Sequence, residues 1–370
     1  MRDLVFSPAF GNRPSQLVGR EHLLEQLLDG LETAPGSRER ATVLLGQRGS
    51  GKTVLLWELA DRARDRGFVV ASPTVVSEGM NERIIEKIQD DGARYAKGKR
   101  AKIVGGSVGA LGFSAGLQFS EEVRETKSFG YKMLQLARRL GDQGRGLLVL
   151  IDETQANSPE LKQLIITYQE LVGERQDVAI VLAGLPGAVS SVLNDSVLTF
   201  LNRATKASLE PLAIGDVDAF FARAFEVSGV KITADLRREA ALATKGSPYL
   251  LQLIGHNLTQ YADADGHVDE RALRDALASS AESFKEDVCR TTLAALSERD
   301  VDFLKAMSLD EGASRIGEVA MRMGVTDDYA QKYRKRLIAS GVIAPARRGF
   351  VEFAVPFLAD HLRDNAHLAH

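Results

Sequence analysis

Short apolar runs alternate with longer segments of helical periodicity over residues 1–213. The apolar runs fall at residues 41–45, 67–71, 146–151 and 178–183. Continuous apolar runs of this length are typical of strands covered on both faces, as in parallel sheets. Between them, amphipathic spacing predicts helices over residues 21–31, 54–60, 79–98, 129–140 and 158–173. The alternation predicts an α/β fold in which helices sandwich a parallel sheet.

One segment interrupts this alternation. Residues 102–108 and 117–120 alternate loosely between polar and apolar positions, and several glycines lie between them. This pattern predicts a hairpin-like insertion of two strands over residues 101–120.

The pattern changes near residue 214, where apolar runs give way to helical spacing alone. Helices are predicted over residues 215–228, 233–244, 247–263 and 269–288. Ser247 and Pro248 give a strong helix start, because a capping hydroxyl precedes a proline at the first helical position. Residues 214–292 therefore form a predicted helical subdomain that follows the α/β unit of residues 1–213.

The remaining segment, residues 293–370, has a third order of elements. A helix is predicted from Ser297, a second over residues 316–323, and a third from the capping Thr326 to residue 339. Two short strands, residues 341–344 and 350–353, then flank a turn. Helices followed by a β-hairpin in this order predict a winged helix.

Composition narrows the class of protein further. The 370 residues are 44% hydrophobic and 26% charged, with a net charge of −3 and a single cysteine. Such a chain gives no global attraction to nucleic acid, and it cannot form an intrachain disulfide. Because no apolar run approaches the roughly 20 residues that cross a bilayer, and because the N-terminus lacks a signal-peptide core, we expect a cytoplasmic protein without membrane contact.

Residues 46–53 carry the clearest chemical motif, and they match G-x-x-x-x-G-K-[ST] between a predicted strand and a predicted helix. Its glycines let successive N–H groups point at one anion, Lys52 can reach terminal phosphates, and Thr53 can ligate Mg²⁺. The flanking strand and helix disfavour the alternative of a glycine-rich turn that binds nothing. The predicted nucleotide-binding residues are Gly46, Gln47, Arg48, Gly49, Ser50, Gly51, Lys52 and Thr53.

Two carboxylates, Asp152 and Glu153, end the apolar run of residues 147–151. Ligands of open α/β sheets bind at the carboxyl ends of the strands. Beside a phosphate loop, Asp152 is predicted to help hold Mg²⁺ and Glu153 to polarise the attacking water. The alternative is that both acids cap a neighbouring helix.

Together, residues 18–21, the phosphate loop, the Asp152-Glu153 pair and residues 246–248 resemble AAA-type ATPases. The similarity spans about residues 15–290 and is greatest to the origin-recognition-complex-like branch and its signal-transducing STAND relatives, in which a terminal winged helix is also usual. It implies ATP and Mg²⁺ as cofactors, ATP hydrolysis, and Val18 and Gly19 beside the adenine. It also implies that Arg203 acts on the γ-phosphate of a neighbouring subunit in a homo-oligomer. A surface arginine paired with a carboxylate is the alternative.

Two departures from the family pattern predict slow hydrolysis. The run 178–183 ends in Ala183 without the polar residue that orients water, for which Gln155 is a candidate substitute. Pro248 is followed by Tyr249 where the family has an arginine. The absence of these two family residues favours a switch that is timed by slow hydrolysis over a motor.

The predicted winged helix leaves two kinds of partner open. The cations expected to contact DNA phosphates are Lys332, Arg334, Lys335, Arg336, Arg347 and Arg348. However, Asp327 and Asp328 start the third helix, and residues 311–370 hold nine Lys/Arg against seven Asp/Glu, a net of only +2. The chain is therefore either a DNA-associated ATPase switch or a signalling ATPase that binds protein, in which case Tyr329, Tyr333 and Phe350 are the expected contacts.

Overall fold

The computed structural model describes residues 5–9, 13–14, 16–96, 113–115, 117–155, 158–193 and 198–366. Its strands are β1 (Ala41–Leu45), β2 (Val69–Val75), β3 (Phe113–Ala115), β4 (Gln118–Phe119), β5 (Leu147–Asp152), β6 (Val178–Gly184), β7 (Thr205–Ser208), β8 (Ser314–Arg315), β9 (Ile343–Pro345) and β10 (Phe350–Phe353).

The helices in the first half of the chain are α1 (Glu21–Glu32), α2 (Lys52–Asp65), α3 (Met80–Ala96), α4 (Glu121–Thr126), α5 (Phe129–Gly141), α6 (Pro159–Gly173) and α7 (Pro186–Leu193). Those in the second half are α8 (Ile214–Ser228), α9 (Ala234–Ala243), α10 (Pro248–Tyr261), α11 (Glu270–Phe284), α12 (Thr291–Ala294), α13 (Glu298–Ser308), α14 (Ile316–Met323), α15 (Asp327–Ala339) and α16 (Leu358–Ala366).

A five-stranded parallel sheet with the order β2-β5-β6-β1-β7 forms the centre of the first half. Side chains alternate across it, so Val43, Val149 and Ile180 contact the helices α3, α5 and α6 on one face. On the other face, Leu44 and Leu150 pack against α1 and α2. This three-layer arrangement confirms the predicted α/β fold, and it places the carboxyl ends of β1, β5 and β6 along one edge.

Among the elements of this half that the sequence prediction missed are β7, α7 and the short helix α4. Strand β7 is short and polar at the edge of the sheet, so it carries no apolar run, and it pairs with β1. Helix α7 starts at Pro186, within a glycine- and proline-rich segment that directly follows β6. Proline is well tolerated in the first turn of a helix.

The predicted insertion is described in part. Strand β4 falls within the predicted stretch 117–120 and pairs antiparallel with β3. The other predicted stretch, residues 102–108, lies outside the described residues.

The helical region, α8 to α11, has the four helices that the pattern predicts. Its core is continuous with that of the segment that follows. Buried side chains from both parts of the chain, between Val217 and Leu362, belong to one apolar cluster. Phe6, far away in the sequence, is buried in the same cluster.

Residues 298–366, the C-terminal unit, contain α13, β8, α14, α15, β9, β10 and α16 in that order. The strands form an antiparallel sheet in the order β8-β10-β9. Helix α15 packs against α7, and the approach is close, because a Cβ added at Gly187 would lie 2.3 Å from the carbonyl oxygen of Ala339. The C-terminal unit therefore rests on the element that directly follows β6. No described helix is long and apolar enough to span a membrane.

Candidate nucleotide-binding site

The loop between β1 and α2 curls at the carboxyl end of β1, beside the central strand β6. Gly49 and Gly51 have φ values of 74° and 88°, in the left-handed region that favours glycine. Gly51 also caps α2, so the loop continues directly into the positive end of a 14-residue helix. A loop of this shape at a helix N-terminus is suited to binding an anion.

Lys52, the first residue of α2, lies folded over this loop. Its Nζ donates hydrogen bonds to the carbonyl oxygens of Gly46 (2.9 Å) and Gln47 (2.7 Å). Burial lowers the pKa of the ammonium group, while the carboxylates of Asp152 and Glu153 oppose that shift. The cation is therefore held beside the loop at the position where phosphate oxygens could replace the carbonyl partners.

Thr53 and Asp152 meet although 99 residues separate them in the sequence. The Thr53 hydroxyl donates to Asp152 Oδ2 over 2.6 Å, and the carboxylate is only 5% exposed. The other oxygen, Oδ1, accepts the backbone N–H of Glu153 over 3.0 Å. A hydroxyl and a carboxylate are hard oxygen donors of the type that Mg²⁺ prefers.

Glu153 has an unusual backbone. Its φ is 53°, a left-handed conformation that is uncommon for a residue with a side chain. Such conformations cost on the order of 1–3 kcal/mol, and they cluster at functional sites. The side chain is exposed and lines the same cavity as Lys52.

That cavity has a volume of about 380 Å³. It is lined by Ser7, Pro8, Ala9, Pro14, Gln16, Leu17, Val18, Arg20, Arg48, Gly49, Ser50, Gly51, Lys52, Thr53, Val54, Asp152, Glu153, Leu212, Pro248, Tyr249, Leu251 and Gln252. The structure thus brings together most of the predicted loop residues, both carboxylates and Val18. The residues contributed by the N-terminal segment and by α10 were not predicted, apart from Val18, because no local motif marks them.

Three predicted nucleotide contacts, Gly19, Gly46 and Gln47, do not line this cavity. Gly19 packs against α8, where a Cβ added to it would be 3.1 Å from Asp216 Oδ2. Gly46 and Gln47 line a second cavity, between the loop and the C-terminal unit. There the Gln47 side chain lies close to Gly341, so the back of the phosphate loop touches the C-terminal unit.

The two departures from the family pattern have structural counterparts. At the end of β6, the buried Thr154 hydroxyl donates to the Ala183 carbonyl over 2.7 Å, and a Cβ added at Gly184 would lie 2.2 Å from that hydroxyl. There is no room for a side chain at residue 184 while Thr154 holds this position. Gln155 is exposed and is not part of the cavity wall. Tyr249 does line the cavity, and its hydroxyl donates to Asp287 over 2.7 Å.

Arg203 lies away from the cavity. It ends a short 3-10 turn, Thr199–Arg203, immediately before β7, and its side chain is exposed. From this position Arg203 is directed outward at the edge of the sheet and is not part of the cavity of its own chain.

The six predicted DNA contacts have different environments. Lys332, Lys335, Arg347 and Arg348 are exposed. Arg336 is exposed too, but it forms an ion pair with the buried Asp300 at 2.6 Å, and the Arg334 Nε atom is buried. One expected aromatic contact is wrong, because Tyr333 is 7% exposed and packs between Phe303 and Tyr329.

Comparison with protein families gives two matches. Residues 16–182 match the family model of the AAA ATPase domain. Residues 286–362 match a family described as a domain of unknown function. Comparison with curated proteins gave no match.

Solved structures of similar fold extend over nearly the whole chain. A Walker-type ATPase of Pyrococcus abyssi has a TM-score of 0.71 at 18% identity, over 97% of this chain and 100% of that one. The ORC2 protein of Aeropyrum pernix, in ADPNP and ADP complexes, has a TM-score of 0.64 at 16% identity, over 98% of each chain. Cdc6p from Pyrobaculum aerophilum has a TM-score of 0.51 at 15% identity, over 97% of each chain. The chain thus has the fold of P-loop ATPases, and the domain match supports nucleotide binding.

Proposed function

We propose that this protein is an AAA-type ATPase that binds ATP with Mg²⁺, hydrolyses it slowly and uses the nucleotide state to control a DNA-associated C-terminal winged helix. The observation that carries the proposal is the hydrogen bond from Thr53 to the buried Asp152 beside Lys52, in a cavity of nucleotide size. This hydrogen bond joins the two predicted phosphate motifs in one site.

Each polar group of the cavity has a role in this proposal. The N–H groups of the loop and Lys52 bind the β- and γ-phosphates, because both present positive charge toward an anion. Thr53 and Asp152 would hold Mg²⁺, which when bound would neutralise charge that develops on the phosphates. Glu153 then accepts a hydrogen bond from the attacking water and orients it. The small residues at the end of β6 supply no polar group to orient the water, and Tyr249 at the start of α10 supplies no cation. Both features favour slow turnover.

The order of elements in the C-terminal unit supports a winged helix, with α15 as its third helix and β9–β10 as the wing. Four exposed cations, Lys332, Lys335, Arg347 and Arg348, supply a positive surface for phosphates. Four contacts correspond to a slope of log affinity against log salt of about −3 to −4.

The test is binding to random-sequence duplex DNA at several salt concentrations. We expect that slope for the parent, and that Arg347→Ala/Arg348→Ala flattens it by about 1 to 2 while ATP binding is unchanged. The matched control removes two exposed cations from α11, Arg271→Ala/Arg274→Ala, and should keep the parental slope.

A STAND-like signalling ATPase that binds a protein through the same unit is the second candidate. The exposed Asp327 and Asp328 at the start of α15 favour it, since they repel a DNA backbone. Tyr329, which is 41% exposed on the same helix, offers an aromatic anchor. DNA binding that is absent at low salt, or that does not respond to salt, would select this candidate.

A further inference from the structure

Residues 5–9, the N-terminal anchor, are fixed to the helical region by one aromatic side chain. Phe6 is 2% exposed. Its ring packs against three rings of α8, with centroid distances of 5.9 Å to Phe220, 6.1 Å to Phe221 and 5.6 Å to Phe225. Burial of a whole phenylalanine among aromatic rings is a strong attachment for so short a segment.

The slot for this ring exists because α10 has a glycine at its centre. A Cβ added at Gly255 would lie 2.0 Å from Cε1 of Phe6, well inside van der Waals contact. Glycine in a helix interior is less favourable than alanine, so the helix is less stable where the ring enters. Gly255 and Phe6 therefore form one packing contact between two distant parts of the chain.

The rest of the N-terminal anchor reaches the nucleotide cavity. The Ser7 N–H donates to Oε1 of the buried Gln252 over 2.8 Å, one turn of α10 before Gly255. Ser7, Pro8 and Ala9 then line the same cavity as Lys52 and Thr53. A nucleotide whose phosphates lie on the loop would meet this wall with its base or ribose.

We infer that Phe6 is a positioning residue for nucleotide retention, which acts by holding residues 7–9 as a wall of the cavity and by tying that wall to α8 and α10. The inference rests on the proposed nucleotide binding and extends it. Nucleotide release then requires the N-terminal anchor to leave its slot, or the helical region to move with it. Loss of the Phe6 ring should speed dissociation even when the fold is intact.

The experiment measures the dissociation rate of a fluorescent ADP analogue, chased with excess ADP, by stopped flow. Phe6→Ala removes the ring. Gly255→Ala instead places a methyl group where the ring lies, which displaces the ring while it raises the helix propensity of α10. Both should raise the rate by about tenfold or more, which corresponds to about 1.4 kcal/mol. In the double variant the new methyl group fills part of the vacated slot, so thermal stability should recover in part while dissociation stays fast.

The control for lost core packing is Leu273→Ala, which removes a buried side chain of α11, a helix that contributes no residue to the wall of the nucleotide cavity. This variant should stay within about twofold of the parental rate. In the parent, bound ADP should slow hydrogen exchange of the Ser7 amide. Rates within twofold of the parent in both single variants, or a parental rate in the double variant, would overturn the inference while the proposed nucleotide binding stands. A parent that binds no ADP would overturn both.

Discussion

Glu153 combines an exposed carboxylate with a left-handed backbone at the carboxyl end of β5. That conformation turns the chain so that Asp152 points at Thr53 while Glu153 lines the cavity one residue later. Two adjacent acids thus have different environments, one buried beside the predicted metal position and one open to water.

Glu153→Gln should therefore separate binding from turnover. The amide keeps the size of the side chain but loses its charge and its capacity to accept a proton, so ATP should bind as in the parent while hydrolysis slows by about 10²-fold or more. Isothermal titration and steady-state phosphate release measure the two quantities. Glu174→Gln, the same change on the exposed end of α6, is the control and should behave as the parent. An equal loss of affinity and turnover would assign Glu153 to metal binding or to structure instead.

At the scale of elements, the sequence was sufficient to predict each element that has an apolar run or a motif of its own. The buried strands β1, β5 and β6 each have a continuous apolar run, and the phosphate motif marks the loop that joins β1 to α2. The contact between Thr53 and Asp152 then follows, because parallel strands bring their carboxyl ends to one edge.

Elements without such a signal were missed for physical reasons. Strand β7 is a polar edge strand, and its pairing with β1 comes from tertiary context. The wall formed by Ser7, Pro8 and Ala9 depends on Phe6 entering a slot beside Gly255, a contact across 249 positions that no local pattern encodes. The close approach of α7 to Ala339 likewise depends on how two distant parts of the chain pack.

At the scale of the whole molecule, the site is connected to the rest of the chain on three sides. The N-terminal anchor links it to α8 and α10, Gln47 at the back of the loop lies against Gly341, and α7 carries the end of β6 to α15. A change at the phosphates can therefore reach the C-terminal unit through packed elements, in the manner that a nucleotide-controlled switch needs.

Variants of Arg203 test whether copies of the chain assemble in the proposed switch. If Arg203 acts on the γ-phosphate in a neighbouring subunit, Arg203→Ala should bind ATP as the parent does but hydrolyse it slowly. Mixing it with Glu153→Gln should restore turnover, because some interfaces then pair an intact Glu153 with an intact Arg203. A mixture of Lys52→Ala and Glu153→Gln is the control and should show no recovery, since each cavity keeps one defect. Absence of recovery in the first mixture, or a monomer at all concentrations with ATP, would exclude the assembly.

Calorimetric titration of ATP with Mg²⁺ into the parent and into Lys52→Ala shows whether residues 46–53 form a nucleotide site. The parent should bind one ATP per chain. The variant should keep the parental fold by circular dichroism but bind ATP at least about tenfold more weakly, because a hydrogen bond to a charged group contributes about 1.5–3 kcal/mol. Equal affinity of the two proteins for ATP, or no binding by the parent, would exclude residues 46–53 as the nucleotide site.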